Sequence, residues 1–381
     1  MIPRIALTAA FVLVAACGGN QPAAGGAGGA AQGGTSGIGG SAAAGSSAGQ
    51  QSAGAGAGGT SAGSAGAGAA GGGAGGTAGA AGAGGAPTLV MPIERGDGRV
   101  LEFGDLVFEV KPAIGARITS LKLGGDELLT GPTENDRFYG STLWTSPADD
   151  WVIGPFDPPA IVDRDPYTTT VSAEGVITAV SASSTANNKT FSVTKVFKAD
   201  IPSQAIVIDY QLKNLGAAPF KLSHWEVTRV FPDGLSFFAT GTSQKIDFLP
   251  QDMTLTDNGS FTWYDNKTHT AQGGESKAGA ETPGGFIAHV VPNAKGPILF
   301  VKAFDDVAPN AAPTGHFEVE LFCNNPHTYV ELEDHSSFDD IAPGATYTQT
   351  VHWYVRRLPV GTPVTVGSAE LIAAVNTVLG K

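Results

Sequence analysis

Cysteine is scarce in this sequence: Cys17 and Cys323 are the only two in 381 residues. A globular region that keeps only Cys323 forms no internal disulfide, even in a compartment that permits one. The sequence has no CxxC pair and no Cys/His cluster, so it predicts no bound metal and no cofactor. Cys323 ends the apolar run 317–323 and is predicted to be a buried core thiol.

Charge is absent from residues 18–86, which contain no Asp, Glu, Lys or Arg and hold 29 of the 54 glycines. Side chains this small bury too little surface to offset the conformational entropy that the backbone loses on ordering. The tract also lacks a Gly-X-Y period with proline, which excludes collagen. Residues 17–86 are therefore predicted to form a disordered Gly/Ala/Ser-rich tether, with a root-mean-square span of about 45 Å.

Basic side chains are outnumbered in the rest of the chain. Residues 87–381 contain 21 Lys and Arg against 35 Asp and Glu. This acidic balance repels a nucleic-acid polyphosphate and an anionic membrane surface alike. The sequence therefore predicts no nucleic-acid partner and no direct contact between this region and a membrane.

The chain starts with an apolar stretch, in residues 1–16, that is shorter than the roughly 20 residues of a membrane span. It leads into the tripeptide Val14-Ala-Ala before Cys17, which resembles the lipobox of bacterial lipoproteins. The resemblance implies a lipoprotein signal peptide over 1–16, a lipid on Cys17, and a lipid-anchored location in the bacterial cell envelope. The alternative is an ordinary secretory signal in which Cys17 has no role.

Residues 87–381 alternate repeatedly between apolar and polar positions, as in 191–197, 205–212 and 298–303. This period of two, interrupted by Gly, Pro, Asn and Asp turns, predicts roughly fourteen strands. A helix is predicted over 368–379, with Ser368 as its N-cap. The segment 143–159 is rich in proline and is predicted to be a long loop. These features predict one large, all-β antiparallel sandwich with a short C-terminal helix.

Three runs, in the order 108–129, 210–225 and 329–347, resemble sequences of the galactose mutarotase-like (aldose 1-epimerase-like) superfamily. They match its opening hairpin, its strand pair that leads to a histidine, and its ending with a glutamate and a Pro-Gly turn. Between 130 and 167 the match is to an uncharacterised branch of that superfamily. The resemblance implies a twisted antiparallel β-sandwich with a sugar-sized groove on its concave face.

The resemblance also implies a catalytic pair, in which a histidine protonates the ring oxygen of a sugar and a glutamate takes the anomeric proton. His224 matches the histidine and Glu331 the glutamate, while Glu333 shares a strand face with Glu331. Glu226 shares a face with His224 and is predicted to orient its imidazole. His224 is followed by Trp-Glu-Val, whereas the family has a Pro-Tyr-Phe-like run. A hydrogen-bonded strand histidine and a solvated pair of glutamates are the structural alternatives.

Trp144, Trp151 and Asp149 are predicted to bind substrate, because indole faces stack on sugar C–H surfaces and carboxylates accept hydroxyls. The alternative is a loop that two buried tryptophans pin onto the sandwich. A calcium site formed by Asp149, Asp150 and Asp157 is a further alternative.

Three functions follow from these patterns. The first is a membrane-tethered carbohydrate-binding lipoprotein that has lost efficient chemistry. The second is an active aldose 1-epimerase-type enzyme, which requires His224 to face Glu331 or Glu333 across a cleft. The third is a structural or protein-binding lipoprotein, which is favoured if both indoles of the 143–159 segment are buried and the cleft is filled.

Overall fold

The computed structural model describes residues 89–151, 157–242, 245–247, 249, 253–268 and 274–381. The predicted signal peptide, the tether and Cys17 lie outside the described residues, so these assignments stay predictions. None of the helices in the described part combines the length and the apolar character that crossing a bilayer requires.

The described residues contain 24 strands and two α-helices. In chain order the first strands are β1 (Ile93–Arg95), β2 (Gly98–Phe103), β3 (Leu106–Lys111), β4 (Arg117–Leu123), β5 (Asp126–Glu127), β6 (Ser141–Ser146), β7 (Thr168–Val171), β8 (Ile177–Val180), β9 (Ser184–Ala186), β10 (Lys189–Asp200), β11 (Ala205–Asn214) and β12 (Phe220–Lys221). The others are β13 (Ser223–Val230), β14 (Leu235–Ala239), β15 (Ile246–Asp247), β16 (Thr256–Asn258), β17 (Phe261–Asp265), β18 (Ser276–Ala280), β19 (Phe286–Val291), β20 (Ile298–Phe304), β21 (Val319–Cys323), β22 (Val330–His335), β23 (Asp340–Ile341) and β24 (Thr346–Arg357). The α-helices are α1 (Ala160–Asp163) and α2 (Ala369–Val378), and single 3-10 turns span Pro112–Ile114, Ala148–Asp150 and Asn266–Thr268.

Two large antiparallel sheets form the body of the fold. Sheet I has the strand order β1-β2-β3-β4-β6-β13-β22-β21-β18-β15, and β5 pairs with β4. Sheet II has the order β16-β17-β14-β19-β20-β24-β11-β10-β8-β7, and β9 pairs with β10. The strands β12 and β23 form a separate two-stranded ladder. We call the face of each sheet that meets the other sheet its inner face, and the opposite one its outer face.

The inner faces of the two sheets pack against each other through large apolar side chains. Phe108 on β3 lies 5.8 Å from Phe197 on β10 and 6.0 Å from Trp353 on β24, measured between ring centroids. Each of these rings alternates along its strand with side chains on the outer face, as the period of two requires. The predicted all-β antiparallel sandwich is confirmed.

The C-terminal helix α2 covers the outer face of sheet II. Ser368 caps it, because its Oγ accepts a hydrogen bond from the Leu371 backbone N–H at 3.3 Å. Leu371 and Val375 are buried against the strand residues Leu299 and Val301. The predicted helix and its cap are confirmed, and so is the buried thiol of Cys323, which contacts the Tyr264 hydroxyl at 3.0 Å.

The prediction of a loop over 143–159 is wrong for its first four residues. Leu143 to Ser146 belong to β6, a central strand of sheet I between β4 and β13. The prolines that indicated a loop begin only at Pro147, where the strand has already ended. Trp144 is therefore held in the middle of a sheet.

Candidate functional site

Charged and aromatic side chains gather on the outer face of sheet I, around Trp225 on β13. Trp225 lies directly opposite His335 on β22, and Glu320 on β21 lies directly opposite Glu333 on β22. Directly opposed residues of antiparallel strands share a face, so the pairing of β13, β22 and β21 brings these side chains together. We call the group the Trp225 cluster; its members are Trp225, Lys277, His316, Glu320, Glu333 and His335.

Lys277, on the edge-side strand β18, joins two carboxylates of the cluster. Its Nζ lies 2.7 Å from Glu320 Oε2 and 2.9 Å from Glu333 Oε2. The ammonium also lies over the Trp225 ring, 4.9 Å from the centroid. The Trp225 indole N–H donates to Glu333 Oε2 at 2.6 Å. Hydrogen bonds to ionised groups are the strong ones, so this arrangement fixes both carboxylates.

Two histidines lie on the other side of Glu320. His316, in the segment before β21, places Nδ1 3.2 Å from Glu320 Oε1, and His335 places Nε2 3.4 Å from Glu320 Oε2. The two imidazole centroids are 4.7 Å apart, and they lie 4.9 and 5.1 Å from the Trp225 ring. Imidazole and carboxylate groups in contact can exchange protons with a bound molecule or ligate a transition metal.

Burial governs the electrostatics of the cluster. It raises the pKa of Glu333, while the neighbouring ammonium of Lys277 lowers it. Burial also acts on Glu320, but Lys277 and the two imidazoles outweigh it and hold the pKa of that carboxyl well below its usual range. Burial lowers the pKa of His335 to about 4, so its imidazole is neutral at pH 7.

The cluster reaches solvent through two of its members. The Lys277 side chain is 17% exposed and that of His316 is 13% exposed, while Glu320, Glu333 and His335 are buried. Glu331 lies on the same sheet face and accepts a hydrogen bond from Arg229 Nε at 2.7 Å. A molecule that approaches this face therefore meets Lys277 and His316 first.

His224 is not part of this site, and its predicted pairing with Glu331 or Glu333 is wrong. Trp225 occupies the outer face, so the preceding residue on the strand points to the inner face. There the His224 ring lies 5.0 Å from the Tyr347 ring of sheet II, and its Nδ1 lies 3.3 Å from Ser336 Oγ. Burial lowers the pKa of His224 to about 3. His224 therefore fits the structural alternative, in which it is a strand histidine without a catalytic role.

Glu226 does not orient His224, and that prediction is wrong as well. It shares the inner face with His224, but its carboxylate accepts from the Tyr210 hydroxyl at 2.5 Å and pairs with Lys302 Nζ at 3.1 Å. Lys302 also pairs with Asp334 Oδ1 at 2.5 Å. All these groups are buried between the sheets. Glu226 therefore belongs to a core ion network.

Trp144 and Trp151 do not present free faces for sugar stacking, because only 8% and 5% of them is exposed. The Trp144 indole N–H donates to Asp163 Oδ1 at 3.0 Å, and that of Trp151 donates to the Thr145 carbonyl at 2.9 Å. Trp151 also stacks on Trp225, with centroids 5.7 Å apart. The alternative of a segment pinned by buried tryptophans is the one that fits.

The carboxylates of the same segment have separate positions. The Asp149 side chain lies outside the described residues. Asp150 pairs with Lys189 at 2.6 Å, and Asp157 pairs with Arg137 and Arg164. Two of the three aspartates proposed for calcium thus have basic partners from other parts of the chain.

Sequence reasoning missed most of the Trp225 cluster. Only Glu333 was among the predicted site residues. The spacing Glu331-x-Glu333-x-His335 places all three side chains on one strand face. His335 could therefore have been predicted from its position two residues after Glu333. His316, Glu320 and Lys277 lie on other elements, and only the pairing of β18, β21 and β22 reveals them.

No family model matches the sequence, and no match was found among curated proteins. Among solved structures, the chain is similar to the Slr1438 protein from Synechocystis sp. PCC 6803, with a TM-score of 0.52 and 12% identity over 72% of this chain and 99% of that chain. A galactose mutarotase-like protein from Lactobacillus casei ATCC 334 gives a TM-score of 0.47 and 10% identity over 68% of this chain and all of that one. A galactose mutarotase related enzyme from Lactobacillus acidophilus gives 0.46 and 10%, over 71% of this chain and 100% of that chain. The likeness to the Slr1438 protein extends to the fold alone, and it agrees with the predicted all-β class.

Proposed function

We propose that the protein is a membrane-tethered carbohydrate-binding protein whose site is the solvent-facing edge of the Trp225 cluster. The observation that carries this proposal is Lys277, held between Glu320 and Glu333 at 2.7 and 2.9 Å and partly exposed. An ammonium donor flanked by carboxylate acceptors matches the paired hydroxyls of a sugar. The imidazole of His316, also partly exposed, adds a second polar contact at the same edge.

The tether in this proposal is supported by the sequence. Cys17 follows a lipobox-like tripeptide, and residues 18–86 have the composition of a flexible coil. A lipid on Cys17 would hold the binding domain at the cell envelope, within reach of surface glycans. More than one acyl chain is needed for stable anchoring, which a diacylglycerol supplies.

Binding is favoured over epimerase chemistry by the arrangement of the acids and bases. His224 and Glu331 lie on opposite faces of sheet I, so they do not act on one sugar ring. The histidines that share a face with the glutamates touch Glu320, at 3.2 and 3.4 Å. Contacts this short leave no room for a pyranose ring between proton donor and acceptor.

Two measurements on the full chain test the proposal. On a glycan array we expect saturable binding to a restricted set of sugars. In polarimetry of freshly dissolved α-D-galactose and α-D-glucose we expect mutarotation at the rate of buffer alone. An array without any bound glycan would overturn carbohydrate binding. An acceleration of about 10²-fold or more would replace the proposal with an epimerase.

A second candidate, a protein-binding lipoprotein, is favoured by a specific observation. Ile93 on the edge strand β1 of sheet I, and Leu89 and Met91 in the segment before it, are 44 to 54% exposed. An exposed apolar edge of this kind is a template for strand addition by another protein. Met91→Lys with Ile93→Lys would abolish such a contact and leave glycan binding intact. Loss of glycan binding in this variant would contradict the separation of the two surfaces.

A further inference from the structure

Three ligand-type atoms converge within the Trp225 cluster. One ring nitrogen each of His316 and His335 and a carboxylate oxygen of Glu320 lie within 4.8 Å of one another. They come from three different places: the segment before β21, the strand β21 itself, and the end of β22. The strand pairing of β21 with β22 fixes the last two relative to each other.

His335 is the member of this group that most needs a partner. It is fully buried, and in the described part of the chain neither of its ring nitrogens has a hydrogen-bond partner. A buried polar group without a hydrogen-bond partner destabilises the fold. Its Nε2 lies 3.4 Å from Glu320 Oε2 without the geometry of a hydrogen bond. A cation between these two groups would satisfy both.

The distances suit a small metal ion. A tetrahedral ion with nitrogen and oxygen ligands at about 2.0–2.1 Å holds them about 3.4 Å apart. The observed separations are similar, 3.2 Å from His316 Nδ1 to Glu320 Oε1 and 3.4 Å from His335 Nε2 to the other oxygen, Glu320 Oε2. The three ligand atoms lie within 4.8 Å of one another, so a bound ion would draw the two imidazoles closer together.

The surrounding charges also allow a cation. Three carboxylates, those of Glu320, Glu331 and Glu333, share the outer face with the two basic groups of Lys277 and Arg229. Lys277 contacts Glu320, so it competes with a metal for that carboxylate. Because its Nζ also lies 2.9 Å from Glu333, the ammonium keeps a carboxylate partner when a metal takes Glu320.

We propose that His316 Nδ1, Glu320 and His335 Nε2 bind one divalent transition-metal ion of the Zn²⁺ type. Two imidazoles and one carboxylate are a donor set that selects Zn²⁺ and its neighbours over Ca²⁺ and Mg²⁺. Three protein ligands leave one coordination position for water or a ligand atom. The assignment stands independently of the proposed carbohydrate function, and it differs from the sequence prediction of no metal.

The test is isothermal titration of the metal-free full chain, purified through a histidine-free tag, with ZnCl₂. We expect one Zn²⁺ per chain, and binding that is at least about tenfold weaker in His316→Gln and in His335→Gln. His352→Gln, a half-buried histidine on β24, is the matched control and should bind as the wild type does. Lys277→Gln should bind Zn²⁺ more tightly, because it removes the competing ammonium.

Two outcomes would overturn the site. One is no saturable binding of Zn²⁺ at millimolar concentration, and the other is wild-type affinity in both histidine variants. X-ray absorption at the zinc edge can be measured on the Zn²⁺-loaded wild type, so this second test does not depend on whether a variant folds. It should show scattering from two imidazoles, and a spectrum with only oxygen neighbours would contradict the assignment. Lys277→Gln separates the two proposals, since it should weaken glycan binding and strengthen Zn²⁺ binding.

Discussion

His224 and Glu333 lie on opposite faces of sheet I, although their strands β13 and β22 are hydrogen-bonded neighbours. Val227 is the residue directly opposite Glu333, and His224 is three positions before it, an odd number of steps that reverses the direction of the side chain. His224 is therefore a core residue, and Glu333 belongs to the outer-face cluster. The predicted acid–base pair of an epimerase is thus divided by the sheet itself.

The core position of His224 makes stability depend on pH. Burial lowers its pKa to about 3, whereas in the unfolded chain it is about 6.5. Between these values the unfolded chain binds a proton that the folded chain does not, so the free energy of unfolding decreases as the pH falls. Between about pH 7.5 and pH 5, protonation of His224 in the unfolded chain should lower the free energy of unfolding by about 2 kcal/mol. We expect His224→Gln to lack this part of the decrease in urea denaturation. The control His352→Gln should keep the wild-type dependence, and an unchanged dependence in His224→Gln would refute the account of this residue.

Trp144 is expected to contribute to stability and not to ligand binding. Trp144→Phe removes the indole N–H bond to Asp163 and should lower the free energy of unfolding by about 1–3 kcal/mol. Glycan affinity, measured well below the thermal midpoint, should equal that of the wild type. A variant with wild-type stability and lost glycan binding would restore the original prediction that this indole contacts sugar.

Lys302 neutralises two buried carboxylates between the sheets. Lys302→Met leaves Glu226 and Asp334 without their ammonium and should destabilise the fold by about 3–5 kcal/mol, as measured by chemical denaturation. The triple variant that adds Glu226→Gln and Asp334→Asn removes the uncompensated charge and should recover most of that loss. A triple variant no more stable than Lys302→Met would show that the network matters through packing alone.

Cys17 is expected to carry the lipid anchor. Cys17→Ser should move the protein from the membrane fraction to the soluble fraction of the cell envelope. Cys323→Ser, which changes the buried thiol, should leave the protein with the membrane. Normal processing and membrane retention of Cys17→Ser would mean that the anchor lies elsewhere.

The sequence predicted the parts of the fold that depend on local pattern. The alternation in 191–197 and 205–212 specified strands, and Ser368 specified the start of α2, because each depends on a few neighbouring residues. Short strands without a full alternation, such as β15 and β16, gave too weak a pattern to be found. β6 was missed because the prolines after it dominated the interpretation of the segment.

The site was harder to predict, because it depends on strand register. Whether His224 and Glu331 share a face is decided by which residues of β13 and β22 are paired, and a shift of one residue reverses the answer. The contacts of Lys277 with Glu320 and Glu333 join three strands across a long stretch of sequence. Local spacing contains no information about such contacts.

The most direct test of the account is the affinity of the full chain for a glycan identified on the array, compared between two lysine variants. Lys277→Gln removes the ammonium at the edge of the Trp225 cluster, whereas Lys122→Gln removes an exposed lysine elsewhere on sheet I. A hydrogen bond to a charged group contributes about 1.5–3 kcal/mol, so Lys277→Gln should bind the glycan at least about tenfold more weakly in isothermal titration. Lys122→Gln should bind as the wild type does. Equal affinity in all three proteins would contradict the assignment of the Trp225 cluster as the binding site.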